Sequence, residues 1–341
     1  MKKPLRQPNF ERLRKTLYGG QADAVPLIEL GIAPPIRDAI MGHPVRTLEE
    51  EIEFMRLHGY DFVKIQPVIR FDLGRTQASV SPGRADRAWA SEHGNMIETM
   101  EDFEKYPWPK PSDIDYSRLE SARDKLPEGM MVIGQYGDIF TTAWELMGFE
   151  NFSIAMFEEP ELIDALFEKI SSLIVGMYEV MAQMDWVGAL WFSDDIAYST
   201  GLMVSPDFLR AKFFPILAKI SSYAKAANKP QLYHTDGLLY NVLDDIIDAG
   251  VNALHPIEPK AMRIAEVKEK AAGRLCLCGH IEVDTLCRGT TADIERLVRQ
   301  AIDDAAPGGG YCLGSSNSVP DYANVENYLT MIRTAVEYGN Y

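Results

Sequence analysis

The chain has 341 residues, of which 46% are hydrophobic and 10% aromatic. This length and composition allow a large buried core and predict a folded protein. Its 50 acidic and 34 basic residues give a formal net charge of −16. Nucleic acids and anionic membranes bind basic patches, so this charge argues against both as partners. It also disfavours a strongly polyanionic substrate.

Neither a membrane span nor a secretory leader is predicted. No run of about 18 apolar residues occurs, and the start "MKKPLRQPNFERLRKTLYGG" lacks the apolar stretch that follows the basic residues of a leader. Four cysteines in so long a chain do not make a disulfide framework, and no CxxC pair suggests a zinc ribbon. We therefore expect a cytoplasmic protein with reduced thiols buried in strands.

In chain order, eight short apolar runs predict β-strands, at 25–30, 61–66, 130–136, 187–193, 231–234, 252–256, 275–280 and 310–315. Each is followed by a longer stretch with the apolar spacing of a helix. Such alternation favours an α/β fold of the TIM (β/α)8 barrel type over an open sheet. No Gly/Ser-rich linker divides the chain, so we expect a single domain over residues 1–341.

Two helices have recognisable starts. "TLEEEIEFMRLHG" (47–59) opens with a threonine cap and a glutamate three residues later, and "SPDFLRAKFFPILAKISSYAKAA" (205–227) opens with serine and then proline. Pro215 should kink or interrupt the second helix.

Residues 67–128 are too long for a simple connection after the second strand. We expect an insertion there, with a small hairpin around 85–100, over one end of the barrel.

Polar residues follow the predicted strands, and in a parallel barrel these strand ends meet on one rim. Of these we assign catalytic roles to Glu29, Asp195, His234 and Asp236, and substrate binding to Gln135, Tyr136, Asp194, Tyr198, His280 and Asn317. An acid after a strand is often only the cap of the next helix. However, many carboxylates converging without arginine or lysine cost stability unless they hold a proton, a metal or a ligand.

The stretch "YHTDG" (233–237) leaves two kinds of chemistry open. His234 and Asp236 are two residues apart and could offer both side chains to one ion, with Glu29, Asp195 or a cysteine such as Cys312 completing a zinc site. Alternatively, carboxylates with raised pKa values could donate a proton to a leaving group.

Four tracts carry a family resemblance: "MEDFEKYPWPKPSDIDYSRLE", "LWFSDDIAYSTGLMVSPDFLRAKFFPILAKI", "YHTDGLLYNVLDDIIDAGVNALHPIEP" and "GGGYCLGSSNSVPDYANVENYLTMI". Together they resemble the uroporphyrinogen decarboxylase superfamily, especially its corrinoid-dependent methyltransferase branch. The resemblance covers nearly the whole chain and implies a TIM barrel. It also implies a methyl group exchanged between a small O- or N-methylated substrate, or tetrahydrofolate, and the cobalt of a separate corrinoid protein.

The resemblance also implies alternatives. Decarboxylases of the superfamily grip their substrate with an arginine-rich loop after the first strand, where "ELGIAPPIRDAIMG" offers only Arg37. Thiol-directed methyltransferases of the branch bind zinc through a His-x-Cys pair and a distal cysteine. Here Asp236 replaces the first cysteine and Ser315 or Ser316 lies near the second, with Cys312 slightly earlier. A decarboxylase-like lyase is the alternative function, and the sequence leaves a homodimer open.

Overall fold

The computed structural model describes residues 3–73, 76–78, 87–89 and 96–341. Its strands are β1 (Phe62–Ile65), β2 (Thr76–Ala78), β3 (Arg87–Trp89), β4 (Met131–Gly137), β5 (Val187–Ser193), β6 (Ala197–Tyr198), β7 (Gly201–Leu202), β8 (Gln231–His234), β9 (Ala253–His255), β10 (Cys276–Ile281) and β11 (Tyr311–Ser315). Within the described residues, seven strands form one sheet in the order β1-β4-β5-β8-β9-β10-β11, and each pair of adjacent strands in it is parallel.

Helices alternate with these strands. They are α1 (Phe10–Leu17), α2 (Pro34–Met41), α3 (Leu48–Leu57), α4 (Met100–Lys105), α5 (Ser117–Ala122), α6 (Ile139–Met147), α7 (Phe149–Glu158), α8 (Pro160–Gln183), α9 (Pro206–Phe208), α10 (Phe214–Ala226), α11 (Leu243–Asp248), α12 (Ile264–Ala271), α13 (Val283–Arg288), α14 (Thr291–Ala305) and α15 (Val325–Tyr338). The predicted TIM-barrel-like α/β fold is confirmed. None of the helices in the described residues combines the length and the apolar content that a bilayer span requires.

The first predicted strand, at 25–30, is the exception to regular pairing. It lies parallel to β11 through a bridge between Leu27 and Leu313, and the amide of Leu313 donates to the carbonyl of Pro26. Pro26 has no N–H to donate, so this segment cannot continue a full ladder. It still continues the sheet beyond β11 and lines one cavity together with Val63 and Lys64 of β1. The two ends of the curled sheet therefore lie side by side.

Both predicted helix starts are present. Thr47 caps α3 in a capping box with Glu50, and Ser205 caps α9 with Pro206 in the first turn. The segment Leu209–Phe213 is a π-helical turn between α9 and α10. Pro215 lacks an N–H and crowds the preceding turn, so the predicted interruption falls just before it.

The segment after β1 contains an antiparallel pair, β2 with β3, then α4, a 3₁₀ turn at Pro111–Asp113 and α5. The hairpin predicted around 85–100 overlaps β3, but residues 85–86 and 90–95 lie outside the described residues. Residues 67–69 and Arg118 line a cavity with Gln135 and Tyr136. The inserted segment thus borders the C-terminal end of β4.

Candidate active site

Three of the predicted catalytic side chains converge where β5 and β8 end. Asp195, His234 and Asp236 each offer one ligand atom within 4.8 Å of the others. The amide of Asp236 donates to Asp195 Oδ1 at 2.8 Å, and His234 Nε2 lies 3.9 Å from the same oxygen. His234 is buried, whereas the Asp195 side chain is 48% exposed. The cluster therefore faces the mouth of the barrel.

His234 contacts a second imidazole inside the barrel. Its Nδ1 lies 2.8 Å from Nδ1 of the fully buried His255, and the two residues are paired in register on β8 and β9. Burial, assisted by the charge of Lys64, lowers the pKa of His234 to about 3. Both rings are therefore neutral, and one Nδ1 must donate a hydrogen to the other. The contact therefore couples the tautomers of the two rings, because the ring that donates from Nδ1 has an unprotonated Nε2 and the other ring has a protonated one.

Asp236 has the environment of a protonated acid. Burial, and the nearby charges of Asp195 and Glu258, raise its pKa to about 8. Its Oδ2 accepts a hydrogen bond from the Asn317 amide at 2.5 Å, while Oδ1 is shielded from solvent and has no hydrogen-bond partner. At neutral pH this carboxyl group carries a proton that no neighbouring protein group accepts.

Glu29 lies beside the cluster rather than in it. Its side chain is buried, which raises its pKa to about 8, and its two oxygens contact the backbone amide and Oγ of Ser315 at 2.9 and 2.6 Å. The Ser315 hydroxyl also lies 2.6 Å from the carbonyl oxygen of Asn317. A carbonyl can only accept, so the single hydroxyl hydrogen goes there, and the contact with Glu29 requires a proton on Glu29. Glu29 therefore acts on Asp236 only through Ser315 and Asn317.

The structure adds a lysine to the expected acidic rim. Lys64 and Gln66 lie at the end of β1, and Lys64 Nζ donates to Gln135 Oε1 at 3.2 Å, which also accepts from Gln66. Gln135 in turn donates to Ser193 Oγ at 2.8 Å. The expectation of a site without lysine is therefore wrong. Alternation was the available signal, because Lys64 and Gln66 are two apart and share a face of β1.

A central cavity of about 310 Å³ connects these groups. Asp195, His234, Lys64 and Gln135 line it, and no aromatic side chain does so among the described residues. A cavity of about 420 Å³ containing Asp236 shares Ser318 with it, and one of about 310 Å³ containing Glu29 shares Leu30, Gly31, Lys64 and Gln66. The mouth is therefore a polar groove with room for a small molecule.

A family model described as uroporphyrinogen decarboxylase (URO-D) matches residues 48–338. The chain belongs to the uroporphyrinogen decarboxylase family. This confirms the resemblance found in the sequence tracts. No curated protein sequence matches significantly.

A solved structure of high similarity shares the fold. A methyltransferase from Methanosarcina mazei has a TM-score of 0.73 at 18% identity, covering 99% of this chain and 99% of its own. An endo-beta-mannanase/endo-beta-glucanase from Prevotella bryantii has a TM-score of 0.43 at 12% identity, covering 95% of this chain and 49% of its own. At 18% identity the likeness to the methyltransferase concerns the fold alone.

In this member of the uroporphyrinogen decarboxylase family, the Asp194 side chain binds the start of helix α6. Its Oδ2 accepts from the amide of Phe140 at 2.6 Å, and its Oδ1 accepts from the amide and hydroxyl of Thr141 at 3.0 and 2.8 Å. It thereby satisfies the free amides at the start of α6. Both oxygens are thus occupied by the start of α6, but Asp194 also lines the central cavity, so its substrate contact stays a prediction.

The other predicted binding residues lie at different distances from the central cavity. Asn317 contacts Asp236, and Gln135 lines the cavity itself. Tyr136 lines the neighbouring cavity beside the inserted segment, and Tyr198 is 55% exposed on the β6–β7 hairpin. His280 packs edge-on against Tyr311, and burial lowers its pKa to about 4. Substrate contact by these residues stays a prediction.

The zinc set predicted with Cys312 is not assembled. Cys312 is paired with Cys278 in register, and its Sγ lies 3.9 Å from that of Cys276. These three sulfurs form a separate buried group, because Cys312 lies three residues before Ser315, deeper in the barrel. Asp195 replaces Cys312 in the group that His234 and Asp236 form. This set of one imidazole and two carboxylates fits a hard or borderline divalent ion such as zinc.

Proposed function

We propose that this chain is a methyltransferase that moves a methyl group between a small O- or N-methylated compound and the cobalt of a separate corrinoid protein. The observation that carries the proposal is Asp236, a protonated acid whose Oδ1 has no hydrogen-bond partner and which lies beside Asp195 and the neutral His234. The matched family and the fold shared with the methyltransferase from Methanosarcina mazei support the same class.

Demethylation makes a specific demand on the protein. When the bond between the methyl carbon and oxygen or nitrogen breaks, the electron pair stays on the oxygen or nitrogen while the methyl group goes to the cobalt nucleophile. That atom then needs a proton, and a positioned general acid contributes about 10²–10⁴-fold to such steps. Asp236 supplies the proton from Oδ1, and Asn317 orients the carboxyl group through Oδ2. In the reverse direction the same carboxylate takes the proton back.

Zinc is the alternative source of charge stabilisation at this position. Asp195, His234 and Asp236 would hold the ion, which would act as a Lewis acid toward the leaving oxygen or nitrogen. Binding would require a deprotonated Asp236 and an unprotonated His234 Nε2, with the Nδ1 hydrogen of His234 donated to His255. Metal analysis of the purified protein distinguishes this arrangement from proton donation.

Decarboxylation of a porphyrinogen-like substrate has less support. Such a substrate presents several carboxylates, whereas Lys64 is the one cationic side chain lining the central cavity among the described residues. Arg37, the arginine that follows the first strand, pairs with Glu51 at 2.9 Å, and Arg118 also pairs with Glu51. Glu51 offsets only one of these two charges, but neither arginine lines the central cavity.

Among the described residues, the central cavity also offers no aromatic ring on which a flat methyl acceptor such as tetrahydrofolate could stack. Phe192 and Tyr233 stack on each other within the core, and Trp191 packs edge-on against His255. These rings fill the barrel and its helix layer. Small aliphatic methyl donors are better suited to the polar lining.

The test is anaerobic demethylation with reduced free cobalamin as the acceptor. Wild-type protein is mixed with a panel of O- and N-methyl compounds, and loss of the cobalt(I) absorbance is followed. We expect turnover with at least one compound, and a decrease of about 10²–10⁴-fold for Asp236→Asn. The matched control is Asp248→Asn at the exposed end of α11, which should retain the wild-type rate. Release of CO₂ from a carboxylated substrate, with no cobalt(I) loss for any compound, would instead identify a lyase.

A further inference from the structure

Lys64 is a half-buried cation in the candidate active site, and the proposed proton transfer does not use it. It lies on β1 and lines the central cavity, the Glu29 cavity and the Tyr136 cavity. Its register partner is Ile133, two residues before Gln135 on β4, so Lys64 and Gln135 lie on the same face of the sheet. The ammonium group is therefore available to whatever occupies the groove.

Comparison with two other partly buried lysines of the chain shows what Lys64 lacks. Lys229 donates to the carbonyl oxygens of Ala182 and Met184, and Lys268 donates to those of Ala305 and Gly309. Lys64, by contrast, donates to one neutral amide oxygen, that of Gln135, which is shared with Gln66. An ammonium group has three hydrogens, so two are left for a ligand.

The nearby carboxylates do not neutralise Lys64. Asp194 is occupied by the start of α6, and Asp195 accepts from the amide of Asp236. No ion pair of Lys64 occurs within the described part of the chain. Burial lowers the pKa of Lys64 to about 8 with no acid opposing the shift. A buried charge without a counter-charge is costly, and an anionic ligand would remove that cost.

The central cavity thus has two chemically different sides. Lys64, with Gln66 and Gln135, offers a cation and amide groups, whereas Asp195 and His234 lead to the proton donor Asp236. We propose that Lys64 binds the carboxylate of the methyl donor, so that the substrate is a small methylated carboxylic acid, either an N-methyl amino acid or a methoxy acid. This inference rests on the proposed methyltransferase function and names its substrate class.

The two sides assign an orientation to the substrate. A carboxylate on Lys64 leaves the methylated nitrogen or oxygen facing the acid cluster. The carboxylate is the group that distinguishes such substrates from simple methylamines or methyl ethers, so Lys64 determines specificity and does not take part in proton transfer.

The experiment measures binding of matched probe pairs by isothermal titration calorimetry. N,N-dimethylglycine is compared with N,N-dimethylglycinamide, and methoxyacetate with methoxyacetamide, for wild type, Lys64→Gln, Lys64→Met and Lys64→Arg. Loss of a charge-assisted hydrogen bond should weaken carboxylate binding by about 10- to 100-fold in the Gln and Met variants. The Arg variant should recover part of it, and amide binding should not change. Lys105→Gln, which removes an exposed lysine of α4, is the control and should behave as wild type.

Each outcome decides the proposal. Equal affinity of wild type for carboxylates and amides, binding of neither, or an unchanged carboxylate preference in Lys64→Gln and Lys64→Met would overturn it. The demethylation assay reads the proposed function separately. Carboxylate binding through Lys64 without methyl transfer would refute the proposed function but leave the Lys64 site intact. Methyl transfer from neutral donors alone would support the proposed function and refute the role of Lys64.

Discussion

The Glu29→Gln substitution tests the protonation state of a buried acid beside the cluster. Glu29 is 2% exposed, and its geometry requires a proton between Oε2 and the Ser315 hydroxyl. Glutamine keeps this arrangement, because its oxygen can accept from the Ser315 amide and its nitrogen can donate to Ser315 Oγ. The variant therefore mimics the protonated acid at every pH.

The magnitude follows from the difference in pKa between the folded and unfolded states. Burial raises the pKa of Glu29 from 4.5 to about 8. Between these values the folded wild type retains a proton that the unfolded chain releases, so its free energy of unfolding falls by about 1.4 kcal/mol per pH unit. The glutamine variant does not titrate. Its advantage over wild type should be near zero below pH 4.5, about 3 kcal/mol at pH 7 and constant above pH 8.

Urea unfolding followed by tryptophan fluorescence at pH 5, 6, 7 and 8 measures this difference. Glu295→Gln, which changes an exposed residue of α14, is the control and should match wild type at all four values. A stability difference between Glu29→Gln and wild type that does not change between pH 5 and 8 would mean that Glu29 is ionised in the folded state. In that case the hydrogen-bond assignment around Ser315 would be wrong.

Three further substitutions or measurements test other parts of the structure. Asp194→Ala should destabilise the protein by roughly 3 kcal/mol or more, because it leaves buried donors of α6 unpaired. Asp195→Ala should cost less than about 1.5 kcal/mol in the same thermal or urea unfolding experiment. Equal losses of stability would contradict the anchoring role of Asp194. Gly137→Ala should prevent soluble folding, because its Cβ would lie 1.6 Å from the carbonyl oxygen of Ser193, while Gly176→Ala, with open space, should be tolerated. Nitrogen-15 spectra should show no titration of the His234 ring between pH 5 and 8, since burial lowers its pKa to about 3; a midpoint in that range would rule out the neutral imidazole pair.

The fold was predictable because apolar runs and helix caps are local signals. The parallel strand segments recur within a few residues of their predicted positions, and the Thr47 cap and the interruption before Pro215 are as expected. The segment at 25–30 does not form a regular strand, because Pro26 removes a donor from the ladder. Its hydrophobicity indicated burial correctly but carried no information on pairing.

The candidate site was only partly predictable. The end of a strand shows that a residue lies near the rim of the barrel, but not which face of the sheet its side chain occupies or how deeply it is buried. Asp195, His234 and Asp236 do converge. Leu27 is the register partner of Leu313, so Glu29 and Ser315, each two residues further on, lie on the same face and contact each other. The next residue, Leu30, lines the central cavity instead. Lys64 was missed because it lies within an apolar strand, where composition hides a single cation.

The three cysteines inside the barrel can report how often strands β10 and β11 separate. Cys276, Cys278 and Cys312 are fully buried, whereas Cys287 on α13 is only half-buried. A water-soluble thiol reagent should label Cys287 quickly and reach the other three when these neighbouring strands come apart. The slow phase of labelling then reports how often that wall opens, with no engineered probe.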